Sequence, residues 1–192
     1  PLMRALDLEG LSNTVVALRE NYAPGLRLVI DHTIATPYGS NSPMLNYPGI
    51  DAVLTAGTKA MGGHDQDIWG YVASNRIGLI NTLADLQSMR GGVLSWRSAK
   101  SINDHLESTE ALFKQRCASA KEVVEFLEKH PEVGEVFHPS SHRHADAEIV
   151  QSQYKLHGSL LSFRLKNADE EHQVGHFCNV LAATTLFRYA LS

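Results

Sequence analysis

The sequence predicts an α/β fold with a mostly parallel or mixed sheet, on three observations. Short apolar runs of strand length, rich in branched residues, recur in the first 75 residues of the chain. Segments with apolar residues at helical spacing lie between and after these runs. After Pro131 the pattern changes to a strand of alternating character, which indicates the start of a second, smaller α+β unit.

The first third of the chain alternates helix and strand patterns. A helical repeat of apolar residues covers residues 8–20, and a Pro-Gly pair ends it. Residues 26–30 predict a buried strand that ends at Asp31. Two further buried strands are predicted over residues 51–55 and 68–73. Beyond the third strand, a helix is predicted with one apolar face formed by Ile80, Leu83 and Leu86.

A long helix dominates the middle of the chain, from residue 98 to His130, where Pro131 ends it. Roughly thirty helical residues span about 45 Å. Such a length is unusual within a single core and favours a connector between domains. Its apolar stripe comprises Leu106, Phe113, Cys117, Ala120, Val124 and Leu127.

The domain division that follows has three parts: a large domain over residues 1–97, the connecting helix over 98–131 and a small domain that begins at 132. The residues of the last part, 132–192, predict two short strands and a helix. These elements cover residues 133–137, 159–165 and about 169–181.

Composition excludes several classes of function. The 192 residues carry a net charge of −4 without a basic block, so neither nucleic acid nor an anionic membrane is indicated as a partner. No apolar run approaches the ~20 residues of a membrane helix. The two cysteines, Cys117 and Cys178, lack metal-like spacing and predict buried free thiols in a reducing, cytoplasmic compartment. The first residue, Pro1, and an apolar final stretch lead us to expect an internal segment of a longer protein.

Two residues stand where an open α/β sheet binds ligands, beyond the carboxyl ends of its strands. Asp31 follows one predicted strand, and Lys59 follows another within small, glycine-containing flanks. Taken alone, Asp31 reads as a helix cap or turn former and Lys59 as a solvated loop lysine. The nucleotide-binding P-loop pattern is absent around Lys59. As a pair they suit a pyridoxal phosphate (PLP) enzyme, in which a lysine amine binds the cofactor as a Schiff base and a carboxylate faces the pyridine nitrogen.

Three segments carry a resemblance to a known family. Residues 29–38, Val-Ile-Asp-His-Thr-Ile-Ala-Thr-Pro-Tyr, resemble the V-D-N-T-F-A-T-P-Y segment of the Cys/Met-metabolism PLP enzymes, the relatives of cystathionine γ-synthase, cystathionine lyase and methionine γ-lyase. Residues 51–64 resemble their D-x-V-x-x-S-x-T-K-x-x-x-G-H segment, at matching separation. Residues 126–133 are similar to their F-L-x-x-H-P-x-V passage.

The resemblance implies the cofactor and a role for five residues. PLP would be bound by Lys59 as the catalytic Schiff-base lysine, with Asp31 on the pyridine nitrogen and Thr58 on the phosphate. Thr36 matches a threonine near the cofactor ring, and Ser192 resembles a serine near the substrate carboxylate.

The resemblance also implies a fold, a reaction and an assembly. The fold would be the aspartate-aminotransferase-like (type I) large domain, followed by the start of the small domain. The reaction would be β- or γ-elimination, or γ-replacement, on a sulfur-type amino acid such as cystathionine, homocysteine, methionine or an O-acylhomoserine. The assembly would be a homo-oligomer, a dimer of dimers with shared active sites. The alternatives are a catalytically incompetent fragment and a non-catalytic scaffold homologue of the same fold.

Two departures and one histidine cluster complete the sequence evidence. Ala56 stands where the family segment has serine, which removes one phosphate-binding hydroxyl, and His32 stands where it has asparagine. His138, His142 and His144 cluster after the predicted strand at 133–137. We predict a surface loop there and no metal site.

Overall fold

The computed structural model describes residues 2–61, 67–166 and 171–184. Its first unit contains a three-stranded sheet in the order β1-β2-β3. Strand β1 (Val29–Asp31) pairs in parallel with β2 (Ala52–Ala56), and β2 pairs antiparallel with β3 (Gly70–Ala73). The predicted mixed sheet is confirmed.

The first helix, α1 (Leu8–Asn21), confirms the helical pattern near the start of the chain. Asp7 caps it by accepting a hydrogen bond from the Gly10 backbone amide at 2.9 Å, which satisfies one of the free amides of the first turn. Leu8, fully buried, joins Ile30 and Val53 in the core on one face of the sheet. This core holds the helix against the strands that carry the candidate site.

The burial predicted for β1 is wrong. The strand is three residues long, and Val29 is 48% exposed while Ile30 beside it is 7% exposed. The reason is that β1 lies at an edge of the described sheet and only the Ile30 face packs against the core. Leu54 and Val72, which lie in register with Asp31 across the other face, are also exposed.

An ion-paired carboxylate, Asp51, marks the start of β2. It is 3% exposed and pairs with Arg19 of α1 and, at 2.5 Å, with Arg76 after β3. Its Oδ2 also accepts a hydrogen bond from the Leu28 backbone amide at 2.7 Å. A buried charge is costly without partners, so the Asp51 carboxylate needs these contacts. Together they join α1, β1, β2 and the end of β3 at one point.

Five further helices, a 3₁₀ turn and two further strands complete the described part of the chain. The short helix α2 (Thr36–Gly39) follows β1, and a 3₁₀ turn (Met44–Asn46) leads to β2. Helix α3 (Ile77–Arg90) has no fully buried residue, although Ile80 and Leu83 are half-buried. Helix α4 (Trp96–Lys129) begins two residues earlier than predicted and ends before Pro131 as expected.

The second half of α4 and the chain after it form a separate small core. Strand β4 (Val133–Phe137) matches its predicted bounds and pairs antiparallel with β5 (Ser162–Leu165). Val124 of α4 packs with Val133 and Val136, while Leu127 and Phe163 pack around them. Two helices, α5 (Ala147–Gln153) and α6 (Glu171–Ala183), complete this half of the chain. The predicted domain division at residues 97 and 131 stays a prediction.

The N-terminal segment, residues 2–7, is bonded to the region of α5. The Arg4 guanidinium pairs with Asp146, its Nε donating to Oδ2 at 2.6 Å, and lowers the pKa of that carboxyl to about 2. The Tyr154 hydroxyl donates to the Leu6 carbonyl at 2.7 Å, and the Leu8 amide donates to Gln153 Oε1 at the same distance. These bonds hold α5 and the residues next to it against the N-terminal segment, which lies about 150 residues earlier in the chain.

Within the described ranges, no helix is long and apolar enough to cross a membrane.

Candidate active site

The site is built where two parallel strands end at the same edge of the sheet. Asp31 is the last residue of β1 and lies in register with Leu54 of β2. Two residues later β2 ends at Ala56, and the Lys59 amide donates to the Ala56 carbonyl at 3.2 Å, which closes a turn. Because parallel strands point the same way, the chain reversals after both strands fall at one edge.

Asp31 is held by one neighbour, Thr33. Its Oδ1 accepts hydrogen bonds from the Thr33 hydroxyl at 2.6 Å and from the Thr33 amide at 2.9 Å. These bonds, the hydroxyl first, lower the pKa of the Asp31 carboxyl, so it stays ionised near neutral pH. No bond to Oδ2 is present among the described residues, so one oxygen is fixed and the other is available to a ligand.

Thr33 also joins the two strand ends, a role that sequence reasoning missed. Its Oγ1 accepts a hydrogen bond from the Ala56 amide at 2.9 Å while donating to Asp31. Ala56 precedes Lys59 by three residues, so the position of the Asp31 carboxylate is coupled to the turn that carries the lysine. A threonine two residues after a strand-end aspartate, the spacing of an Asx-type turn, was the signal available in the sequence.

Asp31, Ala56 and Lys59 line one cavity of about 580 Å³. Its other walls come from the N-terminal segment, around Arg4, and from residues 154–160. Most of this lining is apolar, with few polar groups, a composition typical of small-molecule sites. The contribution of residues 154–160 to this cavity could not be predicted from the sequence, because α4, β4 and α5 separate them from Lys59 along the chain.

The remaining predicted residues are placed differently. Thr58 follows the β2 turn, is half-buried and does not contribute to the described cavity lining. Thr36 is fully buried and also stands apart from that lining. Ser192 lies outside the described residues, as do Gly62, Gly63 and His64.

Thr36 adopts a backbone conformation that is rare for its type. Its φ of +56° lies in the left-handed region, which a β-branched side chain seldom enters. The Thr36 amide donates to the His32 carbonyl at 2.7 Å, and its hydroxyl accepts from the Tyr38 amide at 3.2 Å. The turn directly after Asp31 is therefore strained and fixed by its own bonds, as often found at functional sites.

The surface loop predicted for the histidine cluster is wrong at His138. That side chain is fully buried, with its two ring nitrogens placed 2.7 Å from the Ser140 hydroxyl and 3.3 Å from the Gly158 carbonyl. Burial lowers its pKa, which keeps the ring neutral. His142 is exposed, and His144 bonds to the Met3 carbonyl at 2.9 Å. In the described part of the chain, no group of three histidine, cysteine or acidic residues could hold a metal ion.

Comparison with known proteins decides the family. The sequence profile of the Cys/Met metabolism PLP-dependent enzymes matches residues 1–192. The chain belongs to this family. An L-methionine gamma-lyase of Fusobacterium nucleatum subsp. polymorphum is 34% identical over 176 residues, which is 88% of this chain and 41% of the relative. A cystathionine beta-lyase of Lactococcus lactis subsp. cremoris is 31% identical over 97% of this chain and 46% of its own length.

Solved structures agree with this membership and with the predicted fold. MetB from Corynebacterium glutamicum matches with a TM-score of 0.84 and 30% identity, over the whole of this chain and 46% of its own. Cystathionine gamma-lyase from yeast matches with a TM-score of 0.85 and 28% identity, over the whole of this chain and 47% of its own. The chain therefore spans less than half the length of these relatives. The predicted family, α/β fold and PLP dependence of the family are confirmed.

Proposed function

We propose that the protein is a PLP-dependent lyase or transferase that acts on a sulfur-type amino acid by β/γ-elimination or γ-replacement. The observation that carries this proposal is the shared cavity of Asp31 and Lys59, the two residue types that a PLP site requires. The names of the relatives, methionine gamma-lyase and cystathionine beta-lyase, support the substrate class.

The cavity suits the cofactor in size and in chemistry. A volume of about 580 Å³ lies within the range of small-molecule sites, roughly 300–1,000 Å³. When bound, PLP supplies an aldehyde that reacts with amines and a ring that accepts electrons. The ionised Asp31, with Oδ2 available, has the charge and the free acceptor that a protonated ring nitrogen needs.

Lys59 would serve as anchor and as base. Its exposed amine, on the turn after β2, would hold the cofactor covalently through Nζ. When it does not hold the cofactor, the same Nζ would accept the proton from the substrate Cα. The Thr33 bridge between Asp31 and Ala56 would keep this amine and the ring-facing carboxylate in a fixed relation.

The other predicted contacts remain part of the proposal. The Thr58 hydroxyl would bind the phosphate, and Ala56 leaves that site one hydroxyl short of the family pattern. Ser192 would lie near the substrate carboxylate. Thr36 would act near the ring through the strained turn, because its own side chain is fully buried. A cytoplasmic homo-oligomer, a dimer of dimers with shared active sites, completes the proposal on the family resemblance.

A substrate panel tests the proposed reaction. The protein in its full natural length, supplied with PLP, is incubated with cystathionine, methionine and an O-acylhomoserine, and release of thiol, oxo acid or acyl group is followed. We expect turnover of at least one substrate by the wild type and by Lys100→Ala, a control whose lysine pairs with Asp104 on the surface of α4. Lys59→Ala should lose that turnover.

Two results of the panel would contradict the proposal. Turnover that persists in Lys59→Ala rules out Lys59 as anchor and base. A wild-type protein that takes up PLP yet acts on none of the three substrates contradicts the reaction class, and leaves a non-catalytic homologue of the fold.

A further inference from the structure

Trp69, just before β3, packs its indole ring on the turn that carries Lys59. Gly57 is buried two residues before Lys59, and a methyl group built on it would overlap the Cδ2, Cε2 and Cζ2 atoms of the indole. The Thr58 amide also donates to the Trp69 carbonyl at 3.4 Å. Glycine is therefore required at position 57 for as long as the indole occupies this place.

Tyr71, two residues further along, contacts the other strand end. Its hydroxyl lies 3.1 Å from Nε2 of His32, and the two rings meet edge to face with centroids 6.0 Å apart. His32 directly follows Asp31 and is only 5% exposed. Burial lowers the pKa of His32 and raises that of Tyr71, so the pair is a neutral imidazole and a neutral phenol.

Trp69, Tyr71 and His32 form one row of rings between the two candidate segments. The centroids of Trp69 and Tyr71 are 6.4 Å apart, with the rings tilted by 30°. One end of the row, Trp69, packs on Gly57, and the other end is His32, the residue directly after Asp31. His32, which makes this contact with Tyr71, stands where the family segment has asparagine.

We propose that Trp69 and Tyr71 are positioning residues that set the placement of Lys59 relative to Asp31. The inference rests on the proposed function, because that spacing matters only if both side chains act on one bound cofactor. Packed rings allow little adjustment, since a displaced ring loses its contacts on both sides. A shift of about 1 Å in a reacting group can cost about 100-fold in rate.

The test is a double-mutant cycle in the full-length protein with PLP, using Gly57→Ala, Trp69→Ala and their combination. The readouts are kcat, KM and the pH midpoint of the visible absorption of the lysine-bound cofactor. We expect Gly57→Ala to lower kcat about 100-fold and to move the midpoint, since the new methyl group displaces the turn. In the double variant the space is restored, so its values should equal those of Trp69→Ala alone. Gly25→Ala, where a methyl group meets only open space, is the control.

Three results overturn the positioning role. The first is a Gly57→Ala protein with wild-type kcat and midpoint. The second is a double variant whose loss is the sum of the two single losses. The third is Tyr71→Phe with an unmoved midpoint. This variant keeps the ring and removes the hydroxyl, with its contacts to His32 and Thr55, so it remains decisive if Gly57→Ala fails to fold. A wild type without any lysine-bound absorption contradicts the proposed function itself, whereas an intact band with any of these three results contradicts the positioning role alone.

Discussion

The chemistry of the site depends on how Asp31 divides its two oxygens. Oδ1 is occupied by the amide and hydroxyl of Thr33, while Oδ2 has no partner in the described part of the chain. A carboxylate fixed in this way keeps its negative charge and presents it in one direction. The negative charge would stabilise a protonated ring nitrogen, and an amide of the same shape does not carry that charge.

The substitution Asp31→Asn isolates this charge. We expect the fold to be retained and the activation barrier to rise by about 3–5 kcal/mol, a typical loss when a preorganised electrostatic contact is removed. Turnover on the best substrate of the panel measures it, with Asp85→Asn on the exposed side of α3 as control. Near wild-type turnover in Asp31→Asn would show that the Asp31 carboxylate does not act on the cofactor ring.

Thr33→Val tests the bonds that keep Asp31 ionised. The Thr33 hydroxyl is the largest cause of the lowered pKa of Asp31, so its removal raises that pKa toward the ordinary value. A carboxyl is ionised above its pKa, so the acid limb of the kcat/KM profile should move to higher pH while the rate at neutral pH changes less. Thr14→Val, which removes a hydroxyl bonded to Gly10 on the surface of α1, should leave the acid limb in place. An acid limb that Thr33→Val leaves unmoved would show that another group sets it.

At the scale of elements, local periodicity predicted most of what the structure contains. Strand β4 has its predicted bounds and helix α1 ends one residue beyond its own, because the apolar residues and the chain-breaking residues that limit both segments are local in the sequence. The burial of His138 could not be predicted, since its contact is a carbonyl twenty residues further along, at Gly158. The same holds for Gly57, whose requirement for glycine comes from an indole twelve residues away. Asp31 and Lys59 were found because strand ends and residue chemistry are both visible in sequence, whereas Thr33 and Tyr71 act through tertiary bonds.

The elements of the first unit are joined at Asp51, and this junction should dominate its stability. Asp51→Asn would leave Arg19 and Arg76 without their carboxylate, and breaking a buried ion pair on one side costs about 3–5 kcal/mol. Urea unfolding measures the loss. Glu110→Gln, which breaks an exposed pair with Lys114 on α4, should change the free energy of unfolding little. Equal stability of these two variants would mean that Asp51 does not hold the strands together.

At the scale of the whole molecule, one face of the first sheet is open. Val29, Leu54 and Val72 are 48%, 36% and 44% exposed on that face. Strand β1 pairs on one side only within the described sheet, and large apolar side chains outside it are exposed as well. They include Ile68, Ile77, Met89, Val93 and Trp96. Exposed apolar patches and open strand edges promote association.

The 192-residue chain expressed alone should therefore self-associate and should not act as an independent enzyme. Light scattering and size-exclusion chromatography measure the first part, and the substrate panel measures the second. Replacing Val29 and Val72 by threonine should reduce association, because both side chains lie on the open face. A monomeric 192-residue chain that binds PLP tightly and turns over a sulfur amino acid would contradict this expectation.

The identity of the lysine that binds PLP tests the proposed chemistry most directly. The full-length protein is incubated with PLP, reduced with borohydride and digested, and the modified peptide is identified by mass spectrometry. We predict a single major site at Lys59, on the peptide that follows β2, and no fixed cofactor in Lys59→Ala. Cofactor fixed at another lysine, or retained covalently by Lys59→Ala, would contradict the assignment of the cavity between Asp31 and Lys59 as a PLP site.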